Sequence, residues 1–248
     1  MYKEAPFLKT PKDENIPIWR YMDFPKFVSL LDRQELFFVE TDKLGDPFEG
    51  SYTEINRTST VAEIEKSDLP DTAKEQLISS LGEWLKKFRK YVFINSWHEN
   101  DRESAALWKI YTIGGQGIAI KSKFCFLRDC FMPDTPDIYI GEVKYIDYSR
   151  DAIDVRNYFY PFFHKWKSYE HEKELRALFV NWQSIVKNED VLGNGKGIPV
   201  NLDTLIDKVY VAPDCQEWVY DLVKSVMKRY NLDKEIIRSP LYGEPYFI

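Results

Sequence analysis

The chain has 248 residues, 40 acidic against 34 basic side chains for a formal net charge of −6, and 16% aromatic residues. That much aromatic and aliphatic surface can offset chain entropy by burial, which excludes a disordered chain. The negative balance excludes a broad basic surface, so duplex nucleic acid is not an expected partner.

Ile18 to Met22 predicts a first strand. Asp23 stands at an N-cap position with Pro25 in the first turn. Phe24, Phe27, Val28 and Leu31 follow at helical spacing, giving a helix over Phe24 to Arg33. Leu36 to Val39 is a second strand. The loop Thr41 to Gly50 contains Asp46-Pro47, a turn former, with Phe48 anchoring the loop to the core. A helical insertion over 60–90 carries Ala73, Leu77, Ile78, Leu81, Trp84, Leu85 and Phe88 on one apolar stripe, predicted to cover the core. Tyr91 to Trp97 is a strand, His98 to Arg102 a polar turn, and Glu103 to Tyr111 a short helix that Glu103 helps to cap. Gly114 to Gly117 follows a helix and opens a strand at Ile118. That is the reverse of a dinucleotide fingerprint, so it reads as a tight turn.

Further strands are predicted at Ile138 to Ile146, Glu172 to Trp182, Lys208 to Val211 and Ile236-Ile237. Tyr158 to Trp166 is aromatic and helical or loop-like, a loop rich in Asn and Gly follows Trp182, and Leu205-Ile206 is a helical turn. A final helix, Glu217 to Tyr230, carries Trp218, Leu222, Val226 and Met227 on one face. Strands outnumber crossover helices, which predicts an α+β fold with a mixed, mostly antiparallel sheet flanked by helices. One globular domain over 1–248 is expected, with 1–15 as a peripheral tail. No apolar run nears the ~20 residues that span a bilayer, and Met1 to Asn15 has no signal-peptide core. The three cysteines, Cys125, Cys130 and Cys215, include no Cys-x-x-Cys pair. That argues against a disulfide framework or structural zinc and points to the cytosol.

The segment Tyr169 to Val180 is the first candidate for chemistry. On a strand, Glu172, Glu174 and Arg176 share one face that turns apolar at Leu178 and Val180, while Leu175, Ala177 and Phe179 fill the other. Ionisable groups at the mouth of a buried strand must pair with one another, bind a metal or bind a ligand. Arg20, between Trp19 and Tyr21, can grip a phosphate or carboxylate bidentately or pair with a buried Glu. Ser96 is a candidate hydrogen-bonding residue. A serine hydrolase is not expected, since no Gly-x-Ser-x-Gly elbow is present. His98 reads as a ligand, a base or a solvated turn histidine.

The ordered set Trp19-Arg20-Tyr21, Leu36-Phe37-Phe38, Asp46-Pro47-Phe48-Glu49, Ser96-Trp97, Glu103-Ser104 with Trp108 and Tyr111, Gly117 to Ile120, and Glu172 to Arg176 resembles prokaryotic and phage proteins grouped as the domain of unknown function 2971 family. An Arg on an opening strand, a Ser on a later strand and a Glu-x-Glu on a still later one is also similar to ADP-ribosyltransferases of the Arg-Ser-Glu type. That resemblance implies NAD as substrate, with Arg20 on its phosphates, Ser96 positioning the nicotinamide ribose, and Glu174 as the catalytic glutamate beside Glu172. It also implies stacking by Tyr21, Trp97, Trp108 or Tyr111. Such an enzyme would act on a macromolecular or small-molecule target as a toxin or defence effector. Asn-Ser-Trp in place of Ser-Thr-Ser, and longer separations between the three motifs, depart from that pattern.

Two other classes stand beside it. One is a metal-dependent hydrolase or nuclease using Asp46, Glu49, Glu103, Glu172 or Glu174 on Mg²⁺ or Mn²⁺. The other is a non-catalytic binding or assembly module in which Glu172, Glu174, Arg176 and Arg20 only lock the fold.

Overall fold

The computed structural model describes residues 1–112, 114–189, 193–245 and 247. Part of the Asn- and Gly-rich loop, 190–192, lies outside them. Nine strands form one sheet: β1 (Pro17–Asp23), β2 (Glu35–Glu40), β3 (Val92–Glu99), β4 (Gly117–Lys123), β5 (Tyr139–Glu142), β8 (Glu174–Val180), β9 (Gly195–Pro199), β10 (Lys208–Val211) and β11 (Glu235–Arg238). Two more, β6 (Lys144–Ile146) and β7 (His164–Trp166), form a small parallel pair. Among the described residues, only β10 and β11 of the large sheet run parallel. The helices are α1 (Phe24–Arg33), α2 (Glu54–Glu65), α3 (Asp71–Phe88), α4 (Ala105–Tyr111), α5 (Phe124–Asp129), α6 (Trp182–Lys187), α7 (Leu202–Leu205) and α8 (Glu217–Arg229). This is the expected mostly antiparallel α+β architecture.

The feature that makes room for a site is a fork along one edge of β3. Its other edge pairs with β8 from Val92 to His98. On the forked edge β2 takes only Phe93 and Ile94, and β1 takes only His98 and Glu99. β1 and β2 are joined by α1, whose N-terminus is capped by the Asp23 side chain accepting from the Lys26 amide. Phe27, Leu30 and Leu31 of α1 are buried in the main core. Between the two short pairings, Asn95 to Trp97 have no strand partner on that side. The Asn95 side chain fills part of the gap by donating to the Phe37 carbonyl at 2.9 Å.

Two hydrophobic clusters cover the two faces of β3 and β8. Phe93, Trp97, Leu175, Ala177 and Phe179 belong to the main core, and Val92, Ile94, Leu178 and Val180 to a second cluster with Phe88, Phe162 and Phe163. Strand β8 is therefore buried on both sides, as its composition predicted. The N-terminal segment 1–15 runs beside β5, with Tyr2 bridged to Ile138 and both Ala5 and Leu8 buried.

Several local readings shift. The predicted strand Ile138 to Ile146 is broken at Val143 into β5 and β6. Tyr158 to Trp166 resolves into a 3-10 turn at Tyr160–Phe163 and the strand β7. The stripe on α3 does not cover the core: Phe88 is its only buried residue, and Leu77, Leu81 and Trp84 lie exposed. In α8 the buried face is Val219, Val223 and Met227, one position round from the expected set, leaving Trp218 and Leu222 outside. The α8 stripe was wide enough to admit two rotations, and packing selected one. Met227→Ala is therefore expected to cost about 2–5 kcal/mol and Leu222→Ala under about 0.5 kcal/mol, read from urea unfolding midpoints.

Candidate functional site

The fork opens into a cleft of about 1010 Å³ whose walls include Arg20, Tyr21, Ser96, Trp97, Tyr111, Glu172 and Glu174. Its acidic end is built around Arg176. That guanidinium is 1% exposed and lies two residues after Glu174 on the same face of β8. It donates to Glu174 Oε2 at 2.7 and 3.1 Å, to both Glu49 oxygens at 2.8 and 3.1 Å, and to the Phe162 carbonyl at 2.6 Å. Lys165, on β7, donates to Glu174 Oε1 at 2.7 Å and to Glu172 Oε2 at 2.6 Å. Its ammonium also lies over the Tyr169 ring at 4.5 Å.

Three carboxylates thus share two cations, and the surplus charge settles by burial and distance. Burial acts to raise the Glu174 carboxyl, but Arg176 and Lys165 outweigh it and hold the group well below the usual carboxylate range. Glu172 moves the other way: burial, then its contact with Glu174, raise it, and Lys165 only partly compensates. Both Glu174 oxygens are taken. Glu172 Oε1 meets only the Tyr111 hydroxyl, at 3.4 Å, and that phenol is pushed up to about 12 by its own burial and by the acids.

Glu172 is not on the strand, as its spacing suggested. It ends a 3-10 turn, Lys167–Glu172, and Lys173 in the left-handed region at φ 40° turns the chain into β8. That turn brings both acids onto one lysine. Glu49 comes from the Asp46-Pro47-Phe48-Glu49-Gly50 loop, where the Asp46 carboxylate accepts from the Phe48 amide at 2.9 Å. The loop is more than turn chemistry, because Glu49 is the bidentate partner of Arg176. Gly50, at φ 70°, packs under Phe162, and a Cβ there would fall 2.3 Å from the ring.

At the other end stands Arg20. It donates to the Ser96 carbonyl across the fork at 2.6 Å, and it makes no ion pair with the described residues. Burial holds its guanidinium down to about 10, opposed only by Tyr111. The expected alternative of a Glu partner is not what the fold supplies. Tyr21 is buried, accepting from the Ser104 amide at 2.7 Å. Trp97 is 1% exposed with its indole N–H on Asn95 Oδ1 at 2.8 Å, so it offers no open ring face. Trp108 is set behind Tyr21, edge-on at 5.1 Å, outside the cleft wall, and donates to Glu103 at 2.8 Å. Glu103 is therefore spent on that indole, and Ser104 is the cap of α4.

His98 is part of β3, not a solvated turn. It is 5% exposed, with Nδ1 at 2.6 Å from the Glu172 carbonyl, and burial lowers its pKa. Lys165 was missed in the sequence. An isolated Lys between His164 and Trp166 carries no signal until β7 folds against the acids. Among the described residues no group of three or more His, Cys, Asp and Glu is arranged to hold a metal ion. None of their helices is long and apolar enough to cross a membrane.

No family model matches the chain. No curated protein matches it either. Among solved structures, the chain is similar to DarT of Thermus sp. 2.9 in complex with NAD+, at 11% identity and a TM-score of 0.41, covering 92% of this chain and 98% of that one. The same protein in complex with ADP-ribosylated ssDNA gives 12% identity and a TM-score of 0.41, covering 94% and 98%. Scores this low leave the reading of the site to its own geometry.

Glu174→Gln removes a carboxylate that two buried cations share, so it is expected to cost about 3–5 kcal/mol. Glu172→Gln keeps the network's central pairings and costs far less. The depressed Glu174 group contributes stability present above its unfolded value of ~4.3 and lost as pH falls toward its folded value. Thermal melts from neutral pH to about pH 2 should show that acid-sensitive decline in the native chain and lose it in Glu174→Gln.

Proposed function

We propose that the protein is an NAD+-using ADP-ribosyltransferase-like enzyme working in the forked cleft. One observation carries the reading. Arg20 is a half-buried guanidinium with no acid partner among the described residues, and it shares a cleft with an acid pair. A half-buried cation facing a cleft without a counter-charge favours an anionic ligand. NAD+ supplies the complement to both ends, a pyrophosphate for Arg20 and a cationic nicotinamide ribose for the acids. The cleft volume is at the upper end of the range for small-molecule sites, as a dinucleotide requires.

In this reading the bond between the ribose C1′ and the nicotinamide nitrogen breaks, and its electron pair leaves with neutral nicotinamide. Positive charge develops on the ribose, and a fixed carboxylate stabilises it. Glu172 has the oxygen open to the ligand, with Tyr111 beside it. Glu174 is the fully ionised neighbour that keeps the local potential negative, and Lys165 positions both. Ser96 contributes from β3, its carbonyl holding Arg20. The acceptor nucleophile, from a macromolecule or water, then bonds to C1′ and gives up its proton.

The expected outcome with NAD+ is release of nicotinamide, or transfer of labelled ADP-ribose when the right target is present. Glu172→Gln should remove turnover while leaving the melting temperature near the native value. Arg20→Lys should raise the Kd for NAD+ about tenfold or more, since a bidentate phosphate contact is lost. Absence of both NAD+ binding by calorimetry and nicotinamide release would sink the proposal. The alternative of a non-catalytic module draws on the full pairing of Glu174, and it predicts that Glu172→Gln changes no ligand-dependent property.

A further inference from the structure

The cleft extends beyond the acid pair along β2. Phe37 lies in the middle of that strand and is 50% exposed, its ring forming part of the cleft wall. Register fixes its face. Val39 pairs with Ile94, Ser96 pairs with Arg176, and residues two apart on a strand point the same way. Phe37, Ser96, Arg176 and Glu174 therefore share one face, on the adjacent strands β2, β3 and β8.

Strand β9 leaves the ring uncovered. Gly197 is the residue paired with Phe37, and Gly195 pairs with Val39. A Cβ at Gly195 would fall 2.6 Å from Phe37 Cζ and 2.2 Å from the Phe38 carbonyl oxygen, so the ring takes the space a side chain would need. A ring lying over strand glycines is a known stabilising device, and single exposed apolar residues are ordinary. What distinguishes this one is its surroundings. Arg20 and Arg33 line the same cleft and make no ion pairs with the described residues, while Lys26, also on the wall, is held by Asp23 at 2.9 Å. Glu35, two residues back on the same strand, lines the cleft too, its carboxylate taking the space of a Cβ on Gly197. An exposed aromatic ring in a cleft that also carries guanidinium groups without ion pairs suits a base and its phosphates.

We propose that Phe37 is the platform on which the adenine of the dinucleotide stacks, with Arg20 and Arg33 on the phosphates. This rests on the NAD+ reading of the cleft and assigns the end of it along β2, away from Glu172 and Glu174. It also sets a direction for the ligand, adenine over β2 and nicotinamide ribose toward β8.

The test is calorimetry with ADP, which fills the adenine end alone, and with nicotinamide mononucleotide, which fills the other. The native chain should bind both. Phe37→Leu keeps an apolar cover on Gly195 without a π face, and it should weaken ADP binding about tenfold or more, the worth of one base–aromatic stack. Nicotinamide mononucleotide affinity should be unchanged, and Phe37→Trp should retain ADP. The proposal is overturned if the native chain fails to bind ADP, or if Phe37→Leu binds it as the native chain does. ADP binding that depends on Phe37, without any nicotinamide release from NAD+, would end the enzymatic reading and leave the adenine site standing. Nicotinamide release with a KM for NAD+ unaltered in Phe37→Leu would do the reverse.

Discussion

A guanidinium removed from water has to be answered on every side, and Arg176 is answered by Glu49, Glu174 and the Phe162 carbonyl. Replacing water around such a group is expensive, and only near-complete hydrogen bonding makes it tolerable. The result ties three separate pieces of chain to one point: the loop after β2, the 3-10 turn before β7, and β8 itself. Lys165 then reads out the arrangement, because its position satisfies Glu174 and still reaches Glu172. The acid facing the cleft is thus set by one buried network whose members line the same hollow.

The fork in the sheet is the second constraint. Had β1 or β2 paired along the whole of β3, Asn95 to Trp97 would be closed over by a ladder and Arg20 would have no gap to reach through. Instead α1 holds the two strands apart, each gripping one end of β3. The hollow is a consequence of connectivity: a helix between two strands that both run against the same third strand cannot let them pair with each other while its own apolar face is buried. Arg20 and Ser96 meet where the hydrogen-bonding pattern of the sheet is interrupted, and Glu172 stands on the short turn that leads into β8.

How much of this was legible in the sequence varies with distance along the chain. The strand–helix–strand unit from Pro17 to Glu40 and the doubly buried β8 follow from local periodicity and capping, and both stand in the structure. The likelihood of an ion pair within Glu172 to Arg176 was also readable, since two of the three partners are two residues apart. The other partners were not. Glu49 meets Arg176 across 127 positions of sequence, and such a pairing leaves no periodic trace. Arg20 among aromatics fitted either a grip on a phosphate or half of an ion pair, and only the fold could show that no acid among the described residues pairs with it. The stripes on α3 and α8 failed for a different reason. Amphipathic spacing says that a helix has an apolar side, but not how much of that side a sheet will cover.

Lys173 shows how little a side chain can matter where a backbone matters greatly. Its own side chain is exposed, whereas its left-handed conformation is what lets Glu172 and Glu174 meet the same ammonium. Residues that enter that region of conformational space readily, glycine and asparagine, would preserve the convergence of the acids with the lysine charge gone. A valine or isoleucine, though no larger a change in bulk, would pull the turn straight. The position is therefore permissive toward chemistry and strict toward shape, the opposite of its two acidic neighbours.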